Sequence, residues 1–339
     1  MRAKDISGQA PGGCRTRLSE VLPLDSPFVM QIFPVYGCNF KCAYCIFSVP
    51  ESSRHFISDV KMMEWRLYRK CIDDAVFQNK IKVLRFVGIG EPLLHKNISE
   101  MVDYAVSRDV AHTVELITNA YLLTPEISDS LISAGLTRLV VSLQGTTAAN
   151  YKQVSNATIN FDRLIERLRY FYDRKTNTQV YMKIIDYALD GEEDKQRFYE
   201  IFGDLCDTIA IEHAVPIHTG VDFERTLTDD KSEVTQFGLP VSEVHICPQP
   251  FFTMQINPDG KVVPCYSFEY PEIMGDCHSE TVAGIWNGTR FRKFRRRMLD
   301  GSKRLGKVCA ECNIIKYRLF PEDVLNDDAE RLKAYYEAN

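Results

Sequence analysis

Short runs of β-branched and aromatic residues alternate along the chain with longer helical stretches. The first run, FVMQIFPVY at 28–36, reads as a strand, and the same texture returns at 82–88, 113–118, 138–143, 179–185 and 208–213. Helical stretches fill the intervals near 59–79, 97–108, 125–134, 161–174 and 193–203. Strands separated by helices imply a parallel sheet with right-handed crossovers. Six such units are too few to close an eight-stranded barrel. The pattern therefore predicts an α/β fold built on an open, partial (β/α)6 TIM-like barrel over 28–215.

The pattern breaks at both ends. Residues 1–27 carry Pro11, Gly12, Gly13, Pro23 and Pro27 and predict an irregular N-terminal arm. Residues 216–245, rich in Pro, Gly and polar side chains, predict a connection. A small α+β domain is expected over 246–320, with a hairpin across 251–265 turned at Pro258-Asp259-Gly260 and a helix near 281–299. A last helix near 321–337 makes up the C-terminal segment 321–339.

A chain of 339 residues, 45% hydrophobic, buries a core without metal or disulfide staples, so a metal here is expected to serve function. The formal charge of −5 lacks the basic footprint of nucleic-acid binding. No signal peptide and no membrane-spanning apolar run is found, which predicts a soluble, cytoplasmic protein. Eleven cysteines in that compartment point to metal or redox ligands, because disulfides are disfavoured there. Cys38, Cys42 and Cys45 form one group, while Cys247, Cys265, Cys277, Cys309 and Cys312 crowd the last third. Cys14, Cys71 and Cys206 stand alone, as small buried hydrophobes do.

The first group lies directly after the first strand, and in parallel α/β folds loops at C-terminal strand ends carry the active site. Thiolates spaced Cys-x3-Cys-x2-Cys hold three corners of an iron–sulfur cubane and leave its fourth iron open. Structural zinc is the competing reading; it takes four ligands, and the next candidates are His55 and Cys71. CNFKCAYC resembles the CxxxCxΦC signature of the radical S-adenosylmethionine (SAM) superfamily, with Tyr44 at the aromatic position. The resemblance implies that Cys38, Cys42 and Cys45 bind a [4Fe–4S] cluster whose open iron chelates SAM. One electron then cleaves SAM to methionine and a deoxyadenosyl radical, which abstracts a substrate hydrogen atom.

Three further segments match in order on successive strands. Gly88-Ile89-Gly90-Glu91-Pro92 resembles the GGEP motif that receives the methionyl amine, with Ile89 in place of the first glycine. A carboxylate suits that ammonium, and glycine lets backbone approach a ligand. Thr118-Asn119-Ala120 resembles a TNG element with Ala120 replacing glycine. Ser142-Leu143-Gln144-Gly145 resembles the SxDG element whose serine contacts SAM, with Gln144 where many relatives have Asp. The resemblance thus assigns Tyr44, Gly88, Gly90, Glu91, Pro92, Thr118, Asn119, Ser142 and Gln144 to the SAM site.

In the second group, Cys247 is followed by twelve residues, Gly260, four more and Cys265; Cys309-x2-Cys312 comes later. Four-cysteine zinc is the plain alternative. Downstream of the first group, this spacing is similar to the start of the SPASM/Twitch auxiliary domain, and 275–288 resembles its connecting segment. No cysteine follows Cys312, which implies one auxiliary [4Fe–4S] cluster held by Cys247, Cys265, Cys309 and Cys312. Cys277 is left over, either as a packed thiol or as a hydrogen-atom donor like that of radical SAM epimerases. Lys183 falls late in the fifth strand, where relatives place substrate-binding basic residues. Glu212 and His213 end the sixth strand. The basic run 290–297 reads as a solvated face over the apolar stripe of Phe291 and Phe294.

These resemblances imply an oxidoreductase or epimerase acting on a small polar, sugar- or aminocyclitol-like substrate, fed by a flavodoxin- or ferredoxin-type one-electron reductant. The layout resembles that of the aminocyclitol dehydrogenases of aminoglycoside biosynthesis. The alternative is a maturase that modifies a ribosomally made peptide; the short arm 1–27 is expected to be too small for a peptide-recognition domain. A GTP-acting molybdenum-cofactor enzyme would be expected to end in Gly-Gly, whereas this sequence ends AYYEAN. A zinc-binding interaction module is the non-enzymatic alternative.

Overall fold

A computed structural model describes residues 1–9, 15–54, 59–217, 221–223, 233–266 and 270–337. Cys14 and His55 lie outside the described residues. Ten strands among these form one sheet: β1 (Lys4–Asp5), β2 (Val29–Ile32), β3 (Ile81–Phe86), β4 (Ala111–Thr118), β5 (Arg138–Leu143), β6 (Gln179–Ile185), β7 (Thr208–Glu212), β8 (Thr253–Ile256), β9 (Lys261–Val263) and β10 (Gly275–Asp276). Their order is β1-β7-β6-β5-β4-β3-β2-β8-β9-β10, so the sheet does not close. All pairs from β1 to β8 are parallel; β9 and β10 run antiparallel.

The six expected strands are β2 to β7, separated by helices Trp65–Asp73, Ile98–Ser107, Pro125–Ser133, Phe161–Arg174 and Gly191–Phe202. Local chemistry starts these helices where the sequence places polar caps. The Thr124 side chain accepts from Ile127 N with Pro125 in the first turn, and Asn160 accepts from Arg163 N. Alternate strand residues point to opposite faces. Leu84, Leu116, Leu139, Val141, Met182 and Ile184 are buried in the apolar core, whereas Arg85, Glu115, Arg138 and Lys183 line the barrel interior. The fold thus buries its apolar side chains outward and leaves a polar interior.

Four features differ from the sequence expectation. Part of the arm is the edge strand β1, which pairs with β7 through Lys4↔Thr208 and Asp5↔Ile209. A short helix, Ala148–Ser155, follows β5, capped by Thr147; its weak amphipathic pattern hides it in the sequence. The stretch 281–299 is two helices, Val282–Trp286 and Thr289–Met298, parted at Asn287-Gly288. Residues 321–337 comprise two single 3-10 turns and the helix Ala329–Glu337.

The C-terminal hairpin joins the barrel sheet. β8 pairs with β2 along Val29↔Thr253 to Ile32↔Ile256, and β9 returns after the turn at Gly260, whose φ of +80° suits glycine. Segments 233–240 and 313–323 lie against the open side: Gln236 N donates to Tyr317 O at 2.8 Å, and the rings of Phe237 and Phe320 stack at 4.5 Å. No helix among the described residues is long and apolar enough to cross a membrane.

The basic run 290–297 buries Phe291 and Phe294 as expected, but Arg295 is buried too, at 6% exposure. Its guanidinium lies 3.9 Å from the Trp286 ring centroid and donates to Pro250 O at 2.9 Å and Trp286 O at 3.1 Å. Burial lowers its pKa to about 10. This side chain ties helix Thr289–Met298 to helix Gln249–Phe252 beside Cys247. Arg295→Ala is expected to cost about 3 kcal/mol in urea unfolding, since two hydrogen bonds from a charged group are lost; the exposed Arg290→Ala should cost less than about 0.5 kcal/mol.

Candidate active site

A cavity of about 450 Å³ runs along the inside of the barrel strands. Cys38, Cys42 and Cys45 line it beyond the C-terminal end of β2, together with Tyr44, Gly88, Gly90, Glu91, Thr118, Asn119, Ser142 and Gln144. Pro92 is buried behind them and opens the turn Pro92–Leu94. The three thiols influence one another, and burial pushes Cys38 up to about 12. Phe40 N donates to Cys38 Sγ at 3.4 Å, which holds the first thiol in place.

This loop is set by a close backbone approach. Gly37 and Gly90 form a parallel bridge, and Glu91 N donates to Gly37 O at 2.8 Å. A Cβ at Gly90 would stand 2.4 Å from Val35 O and 2.7 Å from Gly37 O, so only glycine fits. Glu91, 2% exposed, accepts from Thr118 Oγ1 at 2.6 Å, Leu93 N at 2.9 Å and Asn119 N at 2.8 Å. Burial raises its pKa to about 6 against the pull of those donors. Asn119 Nδ2 then donates to Asn39 Oδ1 at 2.8 Å, which links the third strand end to the cysteine loop. Gln144 Nε2 reaches Tyr44 Oη at 3.5 Å, while its buried Oε1 has no partner among the described residues.

Deeper in the cavity the lining is charged. In register across β8, β2, β3, β4 and β5 lie Gln255, Gln31, Arg85, Glu115 and Arg138. Glu115 pairs with Arg85 and, at 3.4 Å, with Arg138. Lys183 donates to Glu212 at 2.7 Å; Tyr181 Oη and Gln236 Nε2 donate to the same carboxylate. Burial pushes Glu212 up, but Lys183, Gln236 and Arg318 outweigh it and hold the carboxyl below its ordinary value. His213 lines the cavity with Nδ1 2.7 Å from Asp186 Oδ2.

Cys247, Cys265, Cys309 and Cys312 surround a second, small cavity beside the N-terminal end of β8. Each of the other three thiols adds to the rise that burial imposes on Cys247. Gln249 lines both cavities, and its Nε2 donates to Tyr266 Oη at 3.1 Å. That pair walls the barrel cavity off from the four thiols. Burial pushes the Tyr266 phenol up against the pull of Arg318 and Arg85, and Arg318 lies 5.5 Å from the ring centroid.

Cys277 is not brought to either cavity. It is fully buried, and its hydrogen bond to Cys71 on helix Trp65–Asp73, with burial, raises its pKa well above the ordinary thiol value. Lys183 does line the cavity. Sequence reasoning missed Arg85, Glu115 and Arg138, although a charged residue within a buried parallel strand was the available signal. Arg318 follows the short helix Ile314–Tyr317 and carries no sequence signal.

Residues 32–200 match the radical SAM superfamily, and 247–313 match the SPASM iron–sulfur cluster-binding domain. The chain belongs to the radical SAM superfamily. It is 23% identical over 320 residues to the tungsten-containing aldehyde ferredoxin oxidoreductase cofactor-modifying protein of Pyrococcus furiosus, covering 82% of this chain and 85% of that protein. Its fold is similar to BtrN in complex with AdoMet and 2-DOIA, at a TM-score of 0.53 and 19% identity over 87% of this chain and 97% of the other. It is also similar to Streptococcus suis SuiB bound to the precursor peptide SuiA, at 0.61 and 14% over 80% and 67%.

A radical SAM protein binds SAM at a [4Fe–4S] cluster, and the SPASM domain binds auxiliary iron–sulfur. The residues present fit both groups: three thiols beside a lining with an unpartnered buried oxygen, and four thiols around an apolar-walled cavity. The departures from the superfamily motifs have physical accounts. Ala120 takes φ +59°, a left-handed conformation that glycine adopts freely, so the motif's usual glycine would relieve strain here. Ile89 is buried in one apolar cluster with Phe33, Tyr36 and Phe47, which replaces a bare glycine with apolar burial.

Gly90→Ala is expected to lower stability by at least about 2 kcal/mol in urea unfolding, because the methyl meets backbone that cannot step aside. Gly37→Ala, whose Cβ would meet only Val35 Cγ1 at 3.6 Å, should stay within about 0.5 kcal/mol of wild type.

Proposed function

We propose that this radical SAM protein is an oxidoreductase that takes a hydrogen atom from a small polar molecule held in the barrel cavity. The observation that carries the reading is the cavity's span: Cys38, Cys42 and Cys45 line one end, and the Gln249–Tyr266 wall to the four C-terminal thiols forms the other. When bound, the cluster with SAM supplies the abstracting radical, and the auxiliary cluster supplies an acceptor for one electron. In this reading Cys38, Cys42 and Cys45 hold the first group, and Cys247, Cys265, Cys309 and Cys312 the second. Glu91, Thr118, Asn119, Ser142, Gln144 and Tyr44 position SAM, with Gly88, Gly90 and Pro92 shaping the loop.

The chain's own residues handle the substrate. Lys183 and Glu212 present a donor and an acceptor to substrate hydroxyls. His213 receives the carbinol proton on Nε2, with its ring fixed by Asp186 at Nδ1. Loss of one hydrogen atom, one electron and one proton converts a carbinol to a carbonyl, so the step balances as a two-electron oxidation. The buried position of Cys277 supports oxidation over epimerisation, which needs a hydrogen donor at the substrate. The Pyrococcus relative's name, a cofactor modifier, favours a small molecule, whereas the fold likeness to peptide-bound SuiB keeps the peptide maturase as the alternative. A flavodoxin- or ferredoxin-type reductant supplies the first electron.

Anaerobic reconstitution should give about eight iron per chain, falling to about four in Cys38/Cys42/Cys45→Ala with loss of 5′-deoxyadenosine formation. Zinc in place of iron at both sites would sink the reading. His213→Asn should retain SAM cleavage while lowering substrate oxidation about 100-fold, the scale of general-base loss. Capture of a precursor peptide with SAM-dependent modification would select the maturase instead.

A further inference from the structure

Resting on the reading of this cavity as the substrate site, we propose that its end beside the C-terminal thiols is an oxyanion subsite. A carboxylate or phosphate of the substrate docks between Arg318 and the Arg85–Arg138 pair. The carboxylates lining the cavity are already engaged. Glu115 is shared by two arginines, Glu212 takes Lys183, and Asp323 takes Arg15. Glu91 sits at the opposite end with three donors of its own. Arg318 makes no ion pair among the described residues; its Nε donates to the neutral Gln236 Oε1.

One guanidinium on Glu115 therefore has no carboxylate of its own, and Arg318, in the same cavity, acts on Glu212 without an ion pair to it among the described residues. Charge withdrawn from bulk water is costly unless it is paired. Arg318 lies 5.5 Å from the Tyr266 ring centroid, and Tyr266 lines the same cavity as Arg85 and Arg138. Thr253, 1% exposed, lines the same end with its Oγ1 unpartnered among the described residues. Planar guanidinium forks match carboxylate and phosphate oxygens bidentately. The docked anion would hold the substrate with its far end toward Cys38, Cys42 and Cys45, which gives the radical one defined face of the molecule to attack.

The test is isothermal titration of SAM-loaded, reconstituted enzyme with inorganic phosphate, malonate and, as the neutral comparison, glycerol. One or both anions should bind with 1:1 stoichiometry, and glycerol should not. A preference for malonate identifies a carboxylic acid as the group recognised; a preference for phosphate identifies a phosphoester. Arg318→Gln should weaken the anion about tenfold or more, the scale of one lost charge-assisted contact, while the exposed Arg290→Gln leaves it unchanged. Arg85→Gln and Arg138→Gln strip a partner from buried Glu115 and risk the fold, so Arg85→Lys serves as the second variant and should weaken binding less than Arg318→Gln. Binding of neither anion at millimolar concentration, or an Arg318→Gln affinity equal to wild type, overturns the proposal. Formation of 5′-deoxyadenosine is followed in parallel. Its absence in wild type with anion binding intact would count against the oxidoreductase reading and leave the subsite standing.

Discussion

The parallel pairing of β2 with β8 is the constraint on which both ends of the site depend. β2 leads directly into the Cys38–Cys45 loop at its C-terminal end. β8 begins just after Cys247, and β9 returns to set Cys265 at the same end as Cys247. Four register pairs from Val29↔Thr253 to Ile32↔Ile256 thus hold two cysteine groups at opposite ends of adjacent strands. A one-residue slip would turn every side chain of β8 to the other face. Met254 and Ile256 would leave the core and Thr253 would leave the cavity. The spacing of the two sites is therefore a property of the sheet rather than of a linker between domains.

The barrel interior obeys a second constraint, set by charge. Helices cover the outer face of the sheet, so apolar side chains are spent there and the inner face is free to be polar. In the row running Gln255, Gln31, Arg85, Glu115 and Arg138 across five strands, Glu115 pairs with both guanidinium groups, while Gln255 Nε2 donates to Asn257 Oδ1 at 2.7 Å and Tyr270 Oη at 3.0 Å. Glu115, 2% exposed, would be untenable as a carboxylate without flanking guanidinium groups. The surplus positive charge around it is then available to a ligand at little reorganisation cost, which is what preorganised sites require.

Much of this was legible in the sequence because the relevant signals are local. The six central strands carry β-branched runs, and the cysteine loop is a contiguous motif placed by the strand before it. The hairpin announced itself by Pro258-Asp259-Gly260. What the sequence could not show is non-local. The edge strand β1 has two residues and exists only because β7 offers an unpaired edge. The pairing of β8 with β2 joins residues more than two hundred positions apart, with no signal in either strand. Cys277 drew attention through its proximity in sequence to a cysteine cluster, yet β10 turns it toward Cys71. Arg318 is one basic residue among many until the chain folds back across the open side of the barrel.

That fold-back ties the segment carrying Cys309 and Cys312 to the wall of the barrel cavity. Cys309 and Cys312 stand within ten residues of Arg318, and the intervening turn passes Tyr317 O to Gln236 N. Gln236 in turn donates to Glu212 and accepts from Arg318. A group bound by the four thiols would anchor the segment that completes the cavity wall and meets the Glu212 network. Replacing those cysteines would then move Arg318 and Gln236 as well as remove the electron acceptor proposed above, and the two effects separate only in a readout that does not require electron transfer. Ligand binding to the barrel cavity is such a readout. The proposed redox role and the shaping role would thus both fall to one piece of covalent chain, with the sheet fixing where it starts and the Gln236 hydrogen bonds fixing where it ends.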